Sequence, residues 1–193
     1  MTVETPTRLS PLSDRQDSLA QLPTGFQVRE LPYLTQLTLR VEPGCAAAKA
    51  VESCMGISLP SPLMAELSDD VKVLWTGQDE WLLVAPDGQQ DDLLARLRSA
   101  IGDEFATVTD VSAQRTTLAL SGHLVRTVMA QGCAIDLDPR VTPVVSCLTT
   151  LLAQAPVTLV VRDEAASELW LLVRSSFASY LAAWLVDACT EYR

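Results

Sequence analysis

VTDVSAQRTTLALSGHLVRTVMAQGCAIDLDP, residues 108–139, is the stretch on which the fold turns. Its pattern predicts a strand ending at Asp110, a polar hinge through Gln114, a second strand over residues 115–120, and a helix opened by Ser121 and Gly122. Ser121 is a candidate N-cap, because its hydroxyl can accept a bond from a first-turn amide that lacks a helical partner. Leu124, Val125, Val128 and Met129 then recur at helical spacing, giving one apolar face. The same order of strand, small-residue turn, helix and Gly/Cys corner leading to a proline occurs earlier, in TQLTLRVEPGCAAAKAVESCMGISLP, residues 35–60.

The correspondence continues downstream. Ile57-Ser58-Leu59 matches Ile135-Asp136-Leu137, and residues 79–101 match residues 167–188 around Trp81-Leu82-Leu83-Val84 and Trp170-Leu171-Leu172-Val173. Four matched elements in one order predict an internal duplication rather than a short-period solenoid. Each copy reads as βαββα, an α+β unit with helices on one face of an antiparallel or mixed sheet. The expected fold is a pair of tandem ferredoxin-like units. The boundaries expected are an extended N-terminal arm over 1–24, a first unit over 25–111 and a second over 112–193, the two units forming one compact domain.

The chain has 193 residues, 48% of them apolar, and a net charge of −10. The negative charge argues against nucleic acid and anionic lipid, which need basic faces. No apolar run approaches the length of a membrane span. The first residues lack a basic segment followed by an apolar one, so no secretory signal is expected. Five scattered cysteines then read as reduced thiols in a cytoplasmic protein. The apolar content suggests a surface partly covered by another protein.

Residues 1–24 carry Pro6, Pro11 and Pro23 among polar residues and show no period. Residues 26–29 and 33–41 alternate as strands do, and Pro32 argues against one continuous strand. A helix is predicted over 45–54, ended by Gly56. A Pro/Ser loop follows over 57–70, then a hairpin of 71–75 with 80–85 and a helix over 90–100. After the hinge and an apolar segment over 141–152 comes a second hairpin, 157–162 with 169–174. In the last helix, residues 175–190, Phe177, Tyr180, Leu181, Trp184, Leu185 and Ala188 are spaced to share one buried face.

Chemistry is sparse. His123 is the only histidine, and a general base needs a nucleophile or an orienting group beside it. The cysteines have no Cys-x2-4-Cys pair, so one His with dispersed thiols gives no metal-ligand spacing; Cys54 and Cys133 read as packing residues at corresponding corners. No glycine-rich phosphate loop and no nucleophile elbow is present. Asp79 and Glu80 read as turn formers. Asp136 and Asp138 flank Leu137 and would point to one side of an extended segment, as a metal or acid–base pair or as a solvated corner. Arg115 could pair with Asp110 or with a partner's carboxylate. Trp75, Trp81 and Trp170 read as core. No catalytic, cofactor-binding or metal-ligating residue is assigned.

Several of these stretches carry a resemblance. Leu9–Leu12 (LSPL), LWTGQDEWLLVAP (74–86), TDVSAQRTTLALSG (109–122), GCAIDLDPRVTP (132–143) and RSSFASYLAAWLVDA (174–188) resemble, in order and over nearly the whole chain, the gamma subunits of heterotetrameric sarcosine oxidases. The resemblance implies the fold of the glycine-cleavage T-protein without its third domain. It also implies a role in an enzyme that oxidatively demethylates sarcosine to glycine. The other products are hydrogen peroxide with formaldehyde, or methylene-tetrahydrofolate. By the same resemblance the partners are alpha, beta and delta subunits. FAD, NAD and covalent FMN belong to alpha and beta, the tetrahydrofolate site to alpha and zinc to delta, while gamma carries no catalytic residue. The family often has His at Asp138 and Phe at Thr142, departures that imply a corner matched to a particular alpha subunit. The alternative is a stand-alone folate-binding or C1-transfer protein of the T-protein type. Against it, the chain has room for two of that protein's three domains and continues from Gly132-Cys133 with Ala134 instead of a K-G-C-Y-type signature.

Overall fold

The computed structural model describes residues 8–192. In chain order its elements are α1 (Gln16–Ala20), β1 (Gln27–Leu31), β2 (Thr35–Val41), α2 (Ala46–Met55), β3 (Ala65–Leu67), β4 (Lys72–Gly77), β5 (Glu80–Ala85), α3 (Gln90–Ile101) and β6 (Ala106–Asp110). There follow β7 (Arg115–Ser121), α4 (Val125–Met129), β8 (Cys147–Leu152), β9 (Ala155–Val161), β10 (Glu168–Arg174) and α5 (Ser175–Ala188), with a closing 3-10 turn at Thr190–Tyr192. They form an α+β fold with two five-stranded sheets, ordered β3-β4-β5-β2-β6 and β1-β7-β10-β9-β8, antiparallel throughout.

Strand alternation sends each sheet's side chains two ways. In the first sheet Leu37, Leu39, Trp81, Leu83 and Val108 bury against Val51, Leu93 and Leu97 of α2 and α3. In the second, Leu118, Leu120, Leu159, Leu171 and Val173 bury against Val128, Leu181 and Leu185 of α4 and α5. The opposite faces meet each other: Ala65, Leu74, Leu82 and Val84 pack on Cys147, Val160 and Leu172. The result is four layers, helices–sheet–sheet–helices. Edge strands β3 and β8 join across the middle through a Met64–Ser146 bridge and hydrogen bonds from Ala65 N to Val145 O (2.7 Å) and Cys147 N to Leu63 O (2.7 Å).

Local signals place most elements. Cys45 caps α2, its Sγ accepting from Ala48 N at 3.4 Å, and Gly56 ends it in the left-handed conformation. Four readings are corrected. First, Ser121 caps no helix: it is the last residue of β7, held by pairing to Gln27 and Glu168, and α4 starts four residues later without a side-chain cap.

Second, residues 8–24 are not an extended arm. Leu12 and Leu19 are buried with the core on the helical side of the second sheet, in a turn and in α1. Two leucines seven residues apart are too sparse to show a period. Residues 1–7 of the expected arm lie outside the described residues.

Third, β1 falls within 25–111 yet belongs to the other sheet, where among the described residues it pairs with β7 alone. The chain turns out of β1 at Pro32 and Tyr33, whose φ is +62°, and crosses to the first sheet before β2. Fourth, Trp81 faces the helices whereas Trp170 faces the other sheet. Matching the two strands by their tryptophans is therefore one residue out, and a one-residue slip reverses every side chain.

Helix α5 also differs from expectation. Ala178, Leu181, Ala182, Leu185 and Ala188 are buried, while Phe177 and Tyr180 lie outward and Trp184 is half-buried. Small alanines let the helix sit close to the sheet, which rotates the bulkier aromatics to its flank. Trp184 lies over Gly132, where an added Cβ would meet the indole.

The sheet-to-sheet layer makes a direct prediction. Leu172→Ala should cost about 2–5 kcal/mol, because it removes a fully buried side chain from a layer that has no helix to collapse inward. Equilibrium urea unfolding of the two chains, compared at equal slope, measures this.

Candidate functional site

His123 occupies the turn between β7 and α4 and is exposed. Its ring lies against the backbone of Gly25, and Gly122 beside it passes so close to the Gly25 carbonyl that a side chain there would collide. Leu124 N donates to that carbonyl at 3.0 Å and Gly122 N to Ser167 O at 3.0 Å. The histidine thus closes a tight backbone crossing, with no carboxylate or hydroxyl of the described residues bonded to its ring.

The two acids flanking Leu137 shape their own loop. Asp136 Oδ1 accepts from Asp138 N (2.9 Å), and Asp136 O accepts from Thr142 Oγ1 (2.6 Å). Asp138 is engaged by Arg140 through N (3.0 Å), Nε (2.8 Å) and Nη2 (3.0 Å). These charge-assisted bonds hold its carboxyl well below the usual carboxylate range. A surface hollow of about 360 Å³ lies beside this loop, bordered by Arg126, Cys133, Asp136 and Asp138. Among the described residues no three His, Cys, Asp or Glu side chains converge as metal ligands.

All five cysteines are thiols. Cys133, Cys147 and Cys189 are buried. Burial pushes the Cys147 thiol up to about 12, and its Sγ donates to Trp75 O at 3.3 Å across the sheet-to-sheet layer. Such a thiol is a packing group, not a nucleophile.

A cleft of about 750 Å³ lies at the hinge, where Arg8, Leu9 and Pro11 meet Tyr33, Asp87, Gln90, Asp110, Arg115 and Ser175. Arg115 and Asp110 both line it but do not pair. Asp110 accepts from Ser112 through N (2.9 Å) and Oγ (2.5 Å), and Arg115 Nη1 bonds Gln114 Oε1 at 2.5 Å. Burial, with Arg174's charge second, pulls Arg115 below the usual arginine range. Arg8 is held by Asp87 at 3.0 Å and lies 4.1 Å over the Tyr33 ring. The buried polar atoms left without partners, Gln36 Oε1, Thr117 Oγ1 and Arg162 Nη1, belong to none of the residues lining this cleft.

Glu30, which the sequence did not single out, is the fastening of the N-terminal segment. This buried carboxylate accepts from Ser10 Oγ (2.6 Å), Gln16 Nε2 (3.3 Å) and, on its other oxygen, Thr116 Oγ1 (2.7 Å). A single acid in a short alternating strand gives no sequence signal of such a role.

The geometry therefore offers packed strands and loops held by their own side chains. The model of the sarcosine oxidase, gamma subunit family matches residues 41–191. The chain belongs to the sarcosine oxidase gamma-subunit family. It is 36% identical over 192 residues to sarcosine oxidase subunit gamma of Corynebacterium sp. (strain P-1), covering 97% of this chain and 93% of that one. Against the same subunit of Arthrobacter sp it is 35% identical over 189 residues, 96% and 91% of the two chains. A chain of heterotetrameric sarcosine oxidase from Corynebacterium sp. U-96 superposes with a TM-score of 0.89 at 34% identity, over 96% of each. The glycine cleavage aminomethyltransferase T from Bartonella henselae shares the fold alone, with a TM-score of 0.63 at 13% identity over 88% of this chain and 48% of that one.

Two outcomes follow from this site. Glu30→Ala should cost about 1–3 kcal/mol by orphaning the Thr116 hydroxyl, and should speed proteolysis within residues 8–24. Native labelling with iodoacetamide at mildly alkaline pH should spare Cys147 and reach it only after unfolding, as mass spectrometry of peptides would record. The sign is set by the raised pKa: the neutral thiol persists in the folded chain until pH approaches about 12.

Proposed function

We propose that the chain is a non-catalytic gamma subunit of a heterotetrameric sarcosine oxidase, assembling with alpha, beta and delta partners. The observation that carries this reading is near-full-length likeness, in sequence and in structure, to the gamma subunit and to a chain of the heterotetramer. The complex oxidatively demethylates sarcosine, its flavins, NAD, folate and zinc residing on the other subunits. Supporting the assignment of chemistry elsewhere, no side chain among the described residues is hydrogen-bonded to the His123 ring, and the two loop acids are engaged within their own turn. No helix among the described residues is long and apolar enough to cross a membrane. We place the assembly in the cytoplasm, a reading supported by five reduced thiols.

The same proposal extends to the fold's origin. Setting aside edge strands β3 and β8, the sheets run β4-β5-β2-β6 and β9-β10-β7-β1. Each has the ferredoxin-like order, with β1 standing beside β7 as β6 stands beside β2. This parallel supports two ferredoxin-like units derived from one, each sheet with its helices forming a unit and both sharing one body.

Expressed alone, the chain should be colourless and should not oxidise sarcosine; co-expressed with its three partners, it should purify in a flavin-containing complex. His123→Ala should leave that complex's turnover within about threefold, since no proton transfer passes through it. A loss of about a hundredfold in a fully assembled complex would overturn the non-catalytic assignment.

A further inference from the structure

Helices α3 and α5 stand in equivalent places, each following its sheet's central hairpin, yet they show different faces outward. On α3 the exposed positions include Asp91, Asp92, Arg96 and Arg98. On α5 they are Ser176, Phe177, Tyr180, Ala183 and Asp187, with Trp184 half-buried among them. Between Ser175 and Val186 the helix carries no charge, in a chain whose net charge is −10. An exposed helix with an uncharged aromatic stripe at positions 177, 180 and 184 is the face of a helix meant to be covered.

The surroundings say what covers it. Helix α1 packs beside α5, fastened by Arg15 Nε on Ser179 Oγ at 3.0 Å. Arg15 lies 3.7 Å from exposed Asp14, so its charge is locally countered, and Asp17 follows on α1. At the far end stand Asp187 and Glu191, both exposed. Tyr180 is held in place where its hydroxyl accepts from Gln154 N at 3.3 Å. Exposed Arg174 stands at the near end of the helix, but Asp17, Asp187 and Glu191 outnumber it, so the patch is aromatic at its centre and predominantly acidic at its rim, and its complement is apolar at its centre and basic around it. Tyrosine and tryptophan are the residues that carry most binding energy at such centres, while rim charges select the partner.

We propose that the outward face of α5, centred on Phe177, Tyr180 and Trp184, docks another subunit of the oxidase through an apolar patch rimmed by lysine and arginine. The proposal rests on the subunit reading above and adds the surface.

The test uses the four-subunit complex. The double variant Phe177→Asp with Tyr180→Glu alters only outward side chains, so the isolated chain should melt within about 3 °C of wild type. Its recovery in the complex should fall by about tenfold or more. Ala95→Asp with Ser99→Glu, on the exposed face of α3, should leave recovery within about twofold. Oxidative footprinting of the wild-type chain, alone and assembled, removes any dependence on how the variant folds: Phe177 and Tyr180 should lose most of their labelling on assembly. Undiminished recovery of the double variant, or unchanged labelling of assembled wild type, overturns the docking surface and leaves the subunit reading intact. An isolated wild-type chain that dimerises through this face, with the variant monomeric, overturns it in favour of a second copy. A wild-type chain that never enters the complex refutes the subunit reading, and this surface with it.

Discussion

Both sheets must be buried on both faces, and the rest of the structure depends on that constraint. Each sheet has helices on one side and the other sheet on the opposite side, so the central strands β5, β9 and β10 have no wet face to give up. At roughly 25 cal/mol per Å² of apolar surface removed from water, two such sheets can be stabilised by burial, without disulfides or metals. The constraint also fixes what the middle layer can hold. Its members are Ala65, Leu74, Leu82, Val84, Cys147, Val160 and Leu172, and a charge among them would lack a partner. The edge strands β3 and β8, which would otherwise leave amides unpaired at the sheet ends, meet where Ala65 N and Cys147 N find carbonyls across the bridge.

The same constraint decides how much was legible in the sequence. Most element types and their order could be read, because turns such as Gly77-Gln78-Asp79 and Pro43-Gly44 punctuate the strands whatever lies around them, but α1 in the expected arm, β3 inside the expected loop 57–70 and β8 in the apolar segment 141–152 were not. Register could not. A strand buried on both faces is a continuous apolar run, and Trp81-Leu82-Leu83-Val84 looks the same whichever way it points. The sequence therefore matched Trp81 to Trp170 although one faces helices and the other a sheet. For α5 the error was of the same kind: the apolar pattern is wide enough to admit two faces, and alanines, not aromatics, set the closest approach. Likeness to the gamma subunits was legible from motifs, whereas the Glu30 fastening, made by residues far apart in the chain, was not.

Several acidic side chains hold the loops they sit in. Asp136, Asp138 and Asp163 each fold a loop around their own carboxylate, Asp163 accepting from Ser167 and Glu168 amides at 2.8 and 2.7 Å. Arg162 lies 4.3 Å over the Trp170 ring at the border of the middle layer. These are the devices of a framework whose surface, more than its interior, distinguishes one region from another.

The crossing of β1 has a consequence for biosynthesis. A nascent chain emerges from the ribosome in order, and β1 leaves first, but its sole partner β7 is made only after the whole first sheet. Until Arg115–Ser121 has emerged, Gln27–Leu31 is an unpaired strand beside a nearly complete sheet whose own edge is already taken by β6. The second sheet then closes around the oldest piece of the chain, so the last half to be translated captures the first few dozen residues. Such late, long-range closure slows folding and leaves the backbone of a strand unpaired meanwhile. Chaperone demand during synthesis is thereby concentrated in the interval between the translation of these two strands.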